Sequence, residues 1–148
     1  MNKVILVDVD GTLADSDHRE HYLETKPKNW TAYYADALND KPYEDIVWLV
    51  KTLKNADNRI LIVTARSEDY RNITEQWLKE SADLKGVYDK IYMRESGDYR
   101  DDDIVKKEML HSIRNDGYDP YMVLDDRPMV VDMWRNLGIR CLQVRDGV

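Results

Sequence analysis

Two aspartates separated by one residue stand where an aliphatic run ends. The run is Val4–Val7, and Asp8, Asp10 and Gly11 follow it. Side chains alternate along a strand, so we expect Asp8 and Asp10 to point the same way while Val9 faces the core. Two carboxylates at one strand end repel each other, and a divalent cation is the usual compensation. The pattern therefore predicts a metal-dependent acidic site, with Gly11 allowing a tight turn out of the strand.

Short aliphatic runs alternate with longer helical patterns along the chain. The predicted strands are Lys3–Val9, Arg59–Thr64, Tyr88–Met93, Tyr121–Asp125 and Ile139–Val144. Apolar spacing predicts four helices between them. Pro42 lies in the first turn of the first, and Ser67 caps the second. Asp101 or Asp102 caps the third, and the fourth begins at Pro128 and ends at Gly138. This alternation predicts an α/β fold, a Rossmann-like three-layer sandwich with a central parallel sheet, in a single domain spanning 1–148.

Residues 15–41 interrupt the alternation between the first strand and the next clear helix. The segment contains Trp30, Tyr33 and Tyr34, and Asn29 can cap a short helix within it. Ligands of open α/β sheets bind at the carboxyl ends of the strands, so we expect a small helical cap that overhangs that edge. The alternative is an ordinary surface helix whose aromatic side chains fill the core.

Composition and charge restrict the classes of function. The formal net charge of −7 argues against a generic nucleic-acid coat, which should be basic. The single cysteine, Cys141, excludes an internal disulfide and a thiolate zinc cluster, and we expect it to be a small buried hydrophobe. No apolar run reaches the length of a membrane span, and the first residues lack a signal-peptide pattern. We therefore expect a cytoplasmic protein without membrane contact.

The stretch from Asp8 to Thr12 resembles the first motif of the haloacid dehalogenase superfamily, whose members are mostly phosphohydrolases with an aspartate nucleophile. That resemblance implies a Ser or Thr ending the next core strand, a Lys near the start of a later helix, and acids ending a later strand. The residues that meet these expectations in order are Thr64, Lys106 with Lys107 as the nearby alternative, and the pair Asp125 and Asp126. Each of these motifs alone has an ordinary structural explanation. The first motif and the three later matches together favour membership of the superfamily.

More specific blocks narrow the resemblance to the 3′-phosphatase domains of bacteriophage polynucleotide kinase/phosphatases. They span nearly the whole chain and are Asp8–Ala14 with Arg19, Val63–Arg66, Gly97–Arg100 with Asp102–Lys106, Leu124–Arg127 and Val130–Arg135. Bifunctional members of that family carry a kinase domain with a phosphate-binding loop. This sequence contains no Gly-x-x-x-x-Gly-Lys-Ser/Thr pattern, so we expect no kinase activity from it.

The resemblance implies a two-step phosphoryl transfer. Asp8 is the implied nucleophile, which forms an aspartyl phosphate, and Asp10 is the implied general acid and then general base. We expect the proximity of Asp8 to raise the pKa of Asp10 and to give a moderately acidic optimum. Thr64 and Lys106 are implied to stabilise the phosphate oxygens.

The resemblance also implies a Mg²⁺ cofactor and a set of substrate-binding residues. The expected metal ligands are Asp8, Asp10 through its backbone carbonyl, and an acid of the pair Asp125 and Asp126. Arg19 and Arg66 are expected to bind the substrate phosphate, since a guanidinium can bind two oxygens at once. Asp102 is expected to orient Lys106 or Arg66, and a purely structural role for Arg127 stays open.

The implied substrates are 3′-phosphorylated ends of DNA or RNA, or 3′-nucleotides. The alternative is a small-molecule phosphatase such as a 5′(3′)-deoxyribonucleotidase, which the acidic net charge favours. A catalytically silent binding module on the same fold is a third reading, and the intact acids argue against it. The four tryptophans and ten tyrosines could serve a core, a cap or an interface, so a homodimer is a further open prediction.

Overall fold

Five parallel strands form the central sheet of the computed structural model, which describes residues 2–147. These strands are β1 (Asn2–Val7), β4 (Arg59–Ser67), β5 (Lys90–Arg94), β6 (Tyr118–Asp125) and β7 (Cys141–Gln143). Their spatial order in the sheet is β5-β4-β1-β6-β7. Two short strands, β2 (Ala14–Asp15) and β3 (Lys41–Pro42), form a separate antiparallel pair. The predicted α/β fold with a parallel sheet is confirmed.

Helices cover both faces of the sheet. They are α1 (Trp30–Ala35), α2 (Glu44–Asn55), α3 (Arg71–Gln76), α4 (Asp102–Asn115) and α5 (Pro128–Asn136). On one face Val7 packs in a cluster with Val50 of α2, and on the other Leu6 packs with Ile113 of α4 and Trp134 of α5. Because Val4–Val7 of β1 are buried and contribute to both core clusters, this part of the strand is continuously apolar rather than alternating.

Several helix starts differ from the sequence prediction. Pro42 does not open a helix; it pairs with Ala14 in the antiparallel ribbon, and α2 begins two residues later. Ser67 caps a 3₁₀ turn over Glu68–Tyr70, so α3 starts only at Arg71. The ribbon overrides the helix-start signal of Pro42 because its pairing closes residues 14–42 into a loop.

Residues 14–42 form an insert between the sheet's first strand and α2. Its helical parts are the 3₁₀ segment Asp17–Leu23, α1 and the 3₁₀ segment Asp36–Asn39. Asn29 caps α1 as predicted, since its side chain accepts a hydrogen bond from the Ala32 amide. The insert's aromatic rings lie outside both core clusters, and Trp30 is 47% exposed. The core-filling alternative is therefore wrong, whereas a capping role stays a prediction.

The single cysteine lies in the core of the fold. Cys141 is buried, as predicted, and burial raises the pKa of its thiol to about 12. The thiol is therefore protonated at neutral pH and is a packing group rather than a nucleophile. Within residues 2–147, the longest apolar helices fall short of what crossing a membrane requires.

Candidate active site

The carboxyl ends of β4, β1 and β6 lie side by side because these strands are parallel neighbours in the sheet. Asp8 and Asp10 directly follow β1, and Asp125 ends β6. Lys106, in the second turn of α4, extends its side chain to the same place. Residues from distant parts of the sequence therefore meet at one edge of the sheet, as the rule for open α/β sheets predicts.

A buried acidic cluster forms the centre of this edge. Asp8, Asp125 and Asp126 each offer a carboxylate oxygen, and these oxygens lie within 4.8 Å of one another. The Lys106 ammonium donates hydrogen bonds to Asp8 Oδ1 and Asp125 Oδ2, both at 2.8 Å. All four side chains are buried. When the three acids are ionised, one lysine leaves the acidic cluster with excess negative charge.

The electrostatics of the acidic cluster favour a bound cation. Burial, and then the charge of Asp125, raise the pKa of Asp8 above its ordinary value even though Lys106 opposes the shift. The same two causes raise the pKa of Asp126. Burial disfavours the charged form of Lys106, but Asp125 and Asp8 outweigh it and raise its pKa, so the lysine stays protonated. A divalent cation would remove the repulsion that raises these carboxyl pKa values.

The two acids that end β6 have different surroundings. Both carboxylate oxygens of Asp125 accept hydrogen bonds. Oδ1 accepts one from the Asp126 amide at 2.8 Å, and Oδ2 accepts one from the Lys106 ammonium. Among residues 2–147, the Asp126 carboxyl contacts the neighbouring Asp8 carboxyl and receives a long hydrogen bond of 3.5 Å from Thr12 Oγ1. Asp126 therefore has carboxylate oxygens free for a cation, whereas Asp125 orients Lys106.

Gly11 permits the close approach of the β1 loop to Asp126. Its φ of +83° lies in the left-handed region that glycine adopts readily. A Cβ atom at this position would lie 2.1 Å from Asp126 Oδ2. The predicted tight turn is thus confirmed, and the missing side chain also makes room for the carboxylate.

Asp10 belongs to a second group of charges. Arg66 donates to it twice, at 3.0 Å from Nε to Oδ2 and at 2.7 Å to Oδ1, and Arg19 donates at 2.9 Å. Both arginines are almost completely buried. Burial would raise the pKa of Asp10, but Arg66 and then Arg19 lower it to about 2. The expected rise caused by Asp8 is therefore wrong, because two contacting guanidinium groups dominate the carboxylate. Asp10 likewise contributes no carboxylate oxygen to the acidic cluster.

Asp40 anchors both arginines, a role that no pattern in the sequence predicted. Its two carboxylate oxygens accept Arg19 Nε and a terminal nitrogen of Arg19, both at 2.7 Å, and Arg66 lies 3.4 Å away. The side chain is buried at the end of the insert, and its backbone carbonyl accepts the Trp77 indole at 2.9 Å. No spacing in the sequence signals this role, since its partners lie 21 and 26 residues away.

Asp102 has partners other than the expected ones. It accepts a 2.7 Å hydrogen bond from Arg94 and a further one from Arg127, and orients neither Lys106 nor Arg66. Asp102 does not orient Lys106, because that lysine extends into the acidic cluster. Arg127 helps to hold Asp102 at the start of α4.

The remaining predicted residues are placed unambiguously. Thr64 is buried within β4, which continues for three residues beyond the predicted end, and its Oγ1 accepts a hydrogen bond from the Arg66 amide at 3.2 Å. Lys107, the alternative to Lys106, is exposed on α4 and makes none of the contacts to the acidic cluster. The edge thus combines a buried carboxylate beside a lysine with a carboxylate between two arginines. This arrangement is suited to phosphoryl transfer.

The low pKa of Asp10 predicts a specific pH dependence of stability. An acid whose folded-state pKa is depressed to about 2 stabilises the fold above its unfolded pKa near 3.8, and this contribution disappears as pH falls toward 2. Its size is on the order of 2 kcal/mol, reduced by the partial exposure of Asp10. In EDTA, the substitution Asp10→Asn should therefore lower the free energy of unfolding most above pH 4 and progressively less below it. Urea unfolding of both proteins between pH 2 and 6 measures this, and a pH-independent difference would contradict it.

Comparisons with known proteins agree with this geometry. The sequence model of a family described as the polynucleotide kinase PNKP phosphatase domain, of the haloacid dehalogenase group, matches residues 2–148. A protein of Autographa californica nuclear polyhedrosis virus, provisionally named a bifunctional polynucleotide kinase/RNA ligase, is 29% identical over 138 residues. That match covers 93% of this chain and 18% of the viral protein.

Solved structures share the fold. A chain in a structure titled as the Pnkp1/Rnl/Hen1 complex is 32% identical with a TM-score of 0.82, and the match covers all of this chain and 47% of that one. A haloacid dehalogenase-like hydrolase from Streptococcus pneumoniae is 14% identical with a TM-score of 0.69, over 95% of this chain and 83% of the hydrolase. The chain thus spans about half the length of the matched chain in that complex and about a fifth of the viral protein.

Proposed function

Because this chain belongs to the polynucleotide kinase PNKP phosphatase domain family, and is therefore a haloacid dehalogenase-type phosphatase, we propose that it removes the phosphate from 3′ ends of polynucleotides. The observation that carries the proposal is the adjacency of two charge groups at one sheet edge. One is the acidic cluster with Lys106, and the other is Asp10 with Arg19 and Arg66. The first supplies a nucleophile, and the second supplies a proton donor together with phosphate-binding guanidinium groups.

The proposed cofactor is Mg²⁺, held by Asp8 and Asp126 with the backbone carbonyl of Asp10. The residues fit a divalent cation, because three buried carboxylates share one lysine and Asp126 has free oxygens. A bound cation supplies charge neutralisation between an anionic nucleophile and an anionic phosphate. Asp125 contributes indirectly by holding Lys106.

In the proposed first step, a carboxylate oxygen of Asp8 attacks phosphorus, and the bond from phosphorus to the ribose oxygen breaks. Asp10 gives its proton to that leaving oxygen, which becomes the free 3′-hydroxyl. In the second step Asp10 takes a proton from water, which attacks the aspartyl phosphate. Inorganic phosphate leaves, and Asp8 is again a carboxylate.

Asp10 must be protonated when the leaving oxygen departs, although its pKa is about 2 in the absence of substrate. We infer that an incoming phosphate draws Arg19 and Arg66 away from Asp10, because a dianion with three oxygens competes with one carboxylate for the same donors. Asp40 keeps hold of Arg19 during this exchange. Losing two cationic partners would raise the pKa of Asp10 toward the range that a general acid needs.

RNA ends are the first substrate to examine. One relative carries the name polynucleotide kinase/RNA ligase, and a solved chain 31% identical to this one comes from a structure titled as an RNA repair complex. With a net charge of −7, binding should rest on local contacts at the end rather than on a long basic surface. The homodimer, the cytoplasmic location and the capping role of the insert stay predictions.

The proposal predicts which phosphates are released. Purified protein should release phosphate from a 3′-phosphorylated RNA oligonucleotide with Mg²⁺, and lose at least about 100-fold in rate with EDTA. The same oligonucleotide phosphorylated at its 5′ end, a DNA counterpart, a 3′-mononucleotide and a 5′-mononucleotide complete the panel. Released phosphate is measured at matched substrate concentrations.

Three outcomes separate the readings of the site. A marked preference for 3′-phosphorylated oligonucleotides supports end repair. A preference for 5′-mononucleotides rejects it and moves the protein to nucleotide metabolism. Failure to hydrolyse any phosphomonoester, including p-nitrophenyl phosphate, would favour a silent binding module instead.

A further inference from the structure

An aromatic cluster lies between the insert and the carboxyl end of β4. Its members are Trp30, Tyr33 and Tyr34 of α1, together with Tyr70, which follows β4. Their planes are within 10–24° of parallel, with centroids 5.1–6.0 Å apart inside α1 and 4.3 Å apart between Tyr34 and Tyr70. Trp30 is the most exposed member, so a large part of one flat ring system faces solvent.

Arg19 connects the aromatic cluster to the site. Its guanidinium carbon lies 4.3 Å from the centroid of the Tyr33 ring, and one of its nitrogens donates to the Tyr33 carbonyl at 3.1 Å. Another nitrogen donates to Asp10 at 2.9 Å. One side chain therefore separates the aromatic rings from the proposed proton donor. A nucleotide whose phosphate contacts Arg19 would have its sugar and base within reach of the rings.

The composition of the aromatic cluster favours a polynucleotide over a core or protein contact. The four rings are absent from both hydrophobic core clusters of the described residues. The Lys28 ammonium lies over the Trp30 ring, 5.9 Å from its centroid, so a mobile cationic side chain accompanies the exposed aromatic ring. Flat aromatic surfaces next to cations are how proteins bind single-stranded nucleic acids, because every base has a π-face and every nucleotide a phosphate.

We propose that the aromatic cluster is a nucleobase-binding site, in which the terminal base of the substrate stacks on Trp30 while its 3′-phosphate occupies the Arg19 side. Lys28 then lies beside the backbone phosphate of the preceding nucleotide. The inference rests on the proposed function and adds that the protein recognises the terminal base of its substrate. A paired terminal base is already stacked within a duplex, so the site favours unpaired ends of any sequence.

The test compares Trp30→Ala with the unchanged protein on three substrates. They are a 3′-phosphorylated RNA oligonucleotide, the same oligonucleotide lacking its terminal base, and p-nitrophenyl phosphate. For Trp30→Ala, the ratio of kcat/KM on the complete oligonucleotide to kcat/KM on p-nitrophenyl phosphate should fall by about 5- to 100-fold. For the unchanged protein, removing the terminal base should lower kcat/KM by a similar factor. For Trp30→Ala it should lower kcat/KM little further, because both changes remove the same stacking contact.

Controls distinguish stacking from structural support. Trp48→Ala removes a tryptophan of α2 that is 66% exposed and outside the aromatic cluster, and it should leave the ratio unchanged. Trp30→Tyr keeps a flat ring and should recover part of the loss. An equal loss on p-nitrophenyl phosphate would overturn the inference, because it would mean that Trp30 only supports Arg19. Equal turnover of complete and base-free oligonucleotides would also overturn it and leave the proposed function intact. Hydrolysis of p-nitrophenyl phosphate without any oligonucleotide turnover would reject the proposed function itself.

Discussion

Asp8→Asn should lower phosphate release from a 3′-phosphorylated oligonucleotide by about 10⁴-fold or more while the protein stays folded. An amide oxygen is too weak a nucleophile to attack phosphorus, so no aspartyl phosphate forms. The fold should survive because Asp8 is an acid whose pKa burial and Asp125 raise, which means that its charge is unfavourable where it stands. Lys106 keeps its hydrogen bond to Asp125 at 2.8 Å.

Turnover and thermal unfolding, measured on one preparation, test this prediction. Asp45→Asn is the matched control, because Asp45 is exposed on α2 and lies outside the site. It should keep full activity. A folded Asp8→Asn protein with more than about a tenth of the original rate would reject Asp8 as the nucleophile, whatever the substrate.

Lys106→Met should destabilise the protein by about 3–5 kcal/mol in EDTA at neutral pH. Lys106 is 2% exposed and is the ammonium group that contacts Asp8 and Asp125. Removing it leaves buried carboxylates that must either stay charged without a partner or take up protons. The cost should therefore grow as pH rises through the pKa values of these acids. Activity should be lost as well, because the lysine no longer stabilises the phosphate oxygens.

Urea unfolding with and without Mg²⁺ measures this effect. Lys107→Met is an unusually close control, since Lys107 is the next residue but is exposed, and it should change stability by less than about 0.5 kcal/mol. Mg²⁺ should restore part of the stability lost in Lys106→Met, because a cation can neutralise the same carboxylates. Equal destabilisation by the two substitutions would contradict the buried pairing.

The acidic cluster could be predicted because its members follow strand ends. Asp8 directly follows one buried parallel strand and Asp125 ends its neighbour, and neighbouring parallel strands end at one edge of the sheet. The strand pattern predicts where these acids lie, and the resemblance to the superfamily singled out the pair Asp125 and Asp126. Lys106 was found through the resemblance to the haloacid dehalogenase superfamily, which implies a lysine near the start of a later helix. The fold class followed from similar information, since continuously apolar runs between amphipathic helices have few other solutions.

The partners of the charged residues required the three-dimensional structure. Asp10 was expected to respond to Asp8, two residues away, but Arg19 and Arg66 contact it directly and hold its pKa at about 2. Asp102 was expected to orient a lysine one helical turn away, but it pairs with Arg94 and Arg127. Spacing along a chain says which groups can meet, whereas the pKa and orientation of a side chain depend on whichever charge lies nearest in space.

The amino-acid sequence alone determines the α/β sheet, the edge at which the site lies and the acids that form it, because these depend on strand ends and short-range periodicity. The contacts made by the insert, residues 14–42, are not determined by local sequence patterns. Asp40 reaches Arg19 and Arg66, and Trp30 faces solvent instead of the core, in an insert that the β2–β3 ribbon closes into a loop over residues 14–42. Such contacts join elements that no local periodicity relates. The folded chain alone therefore decides which cations hold Asp10 and which aromatic ring is exposed to solvent.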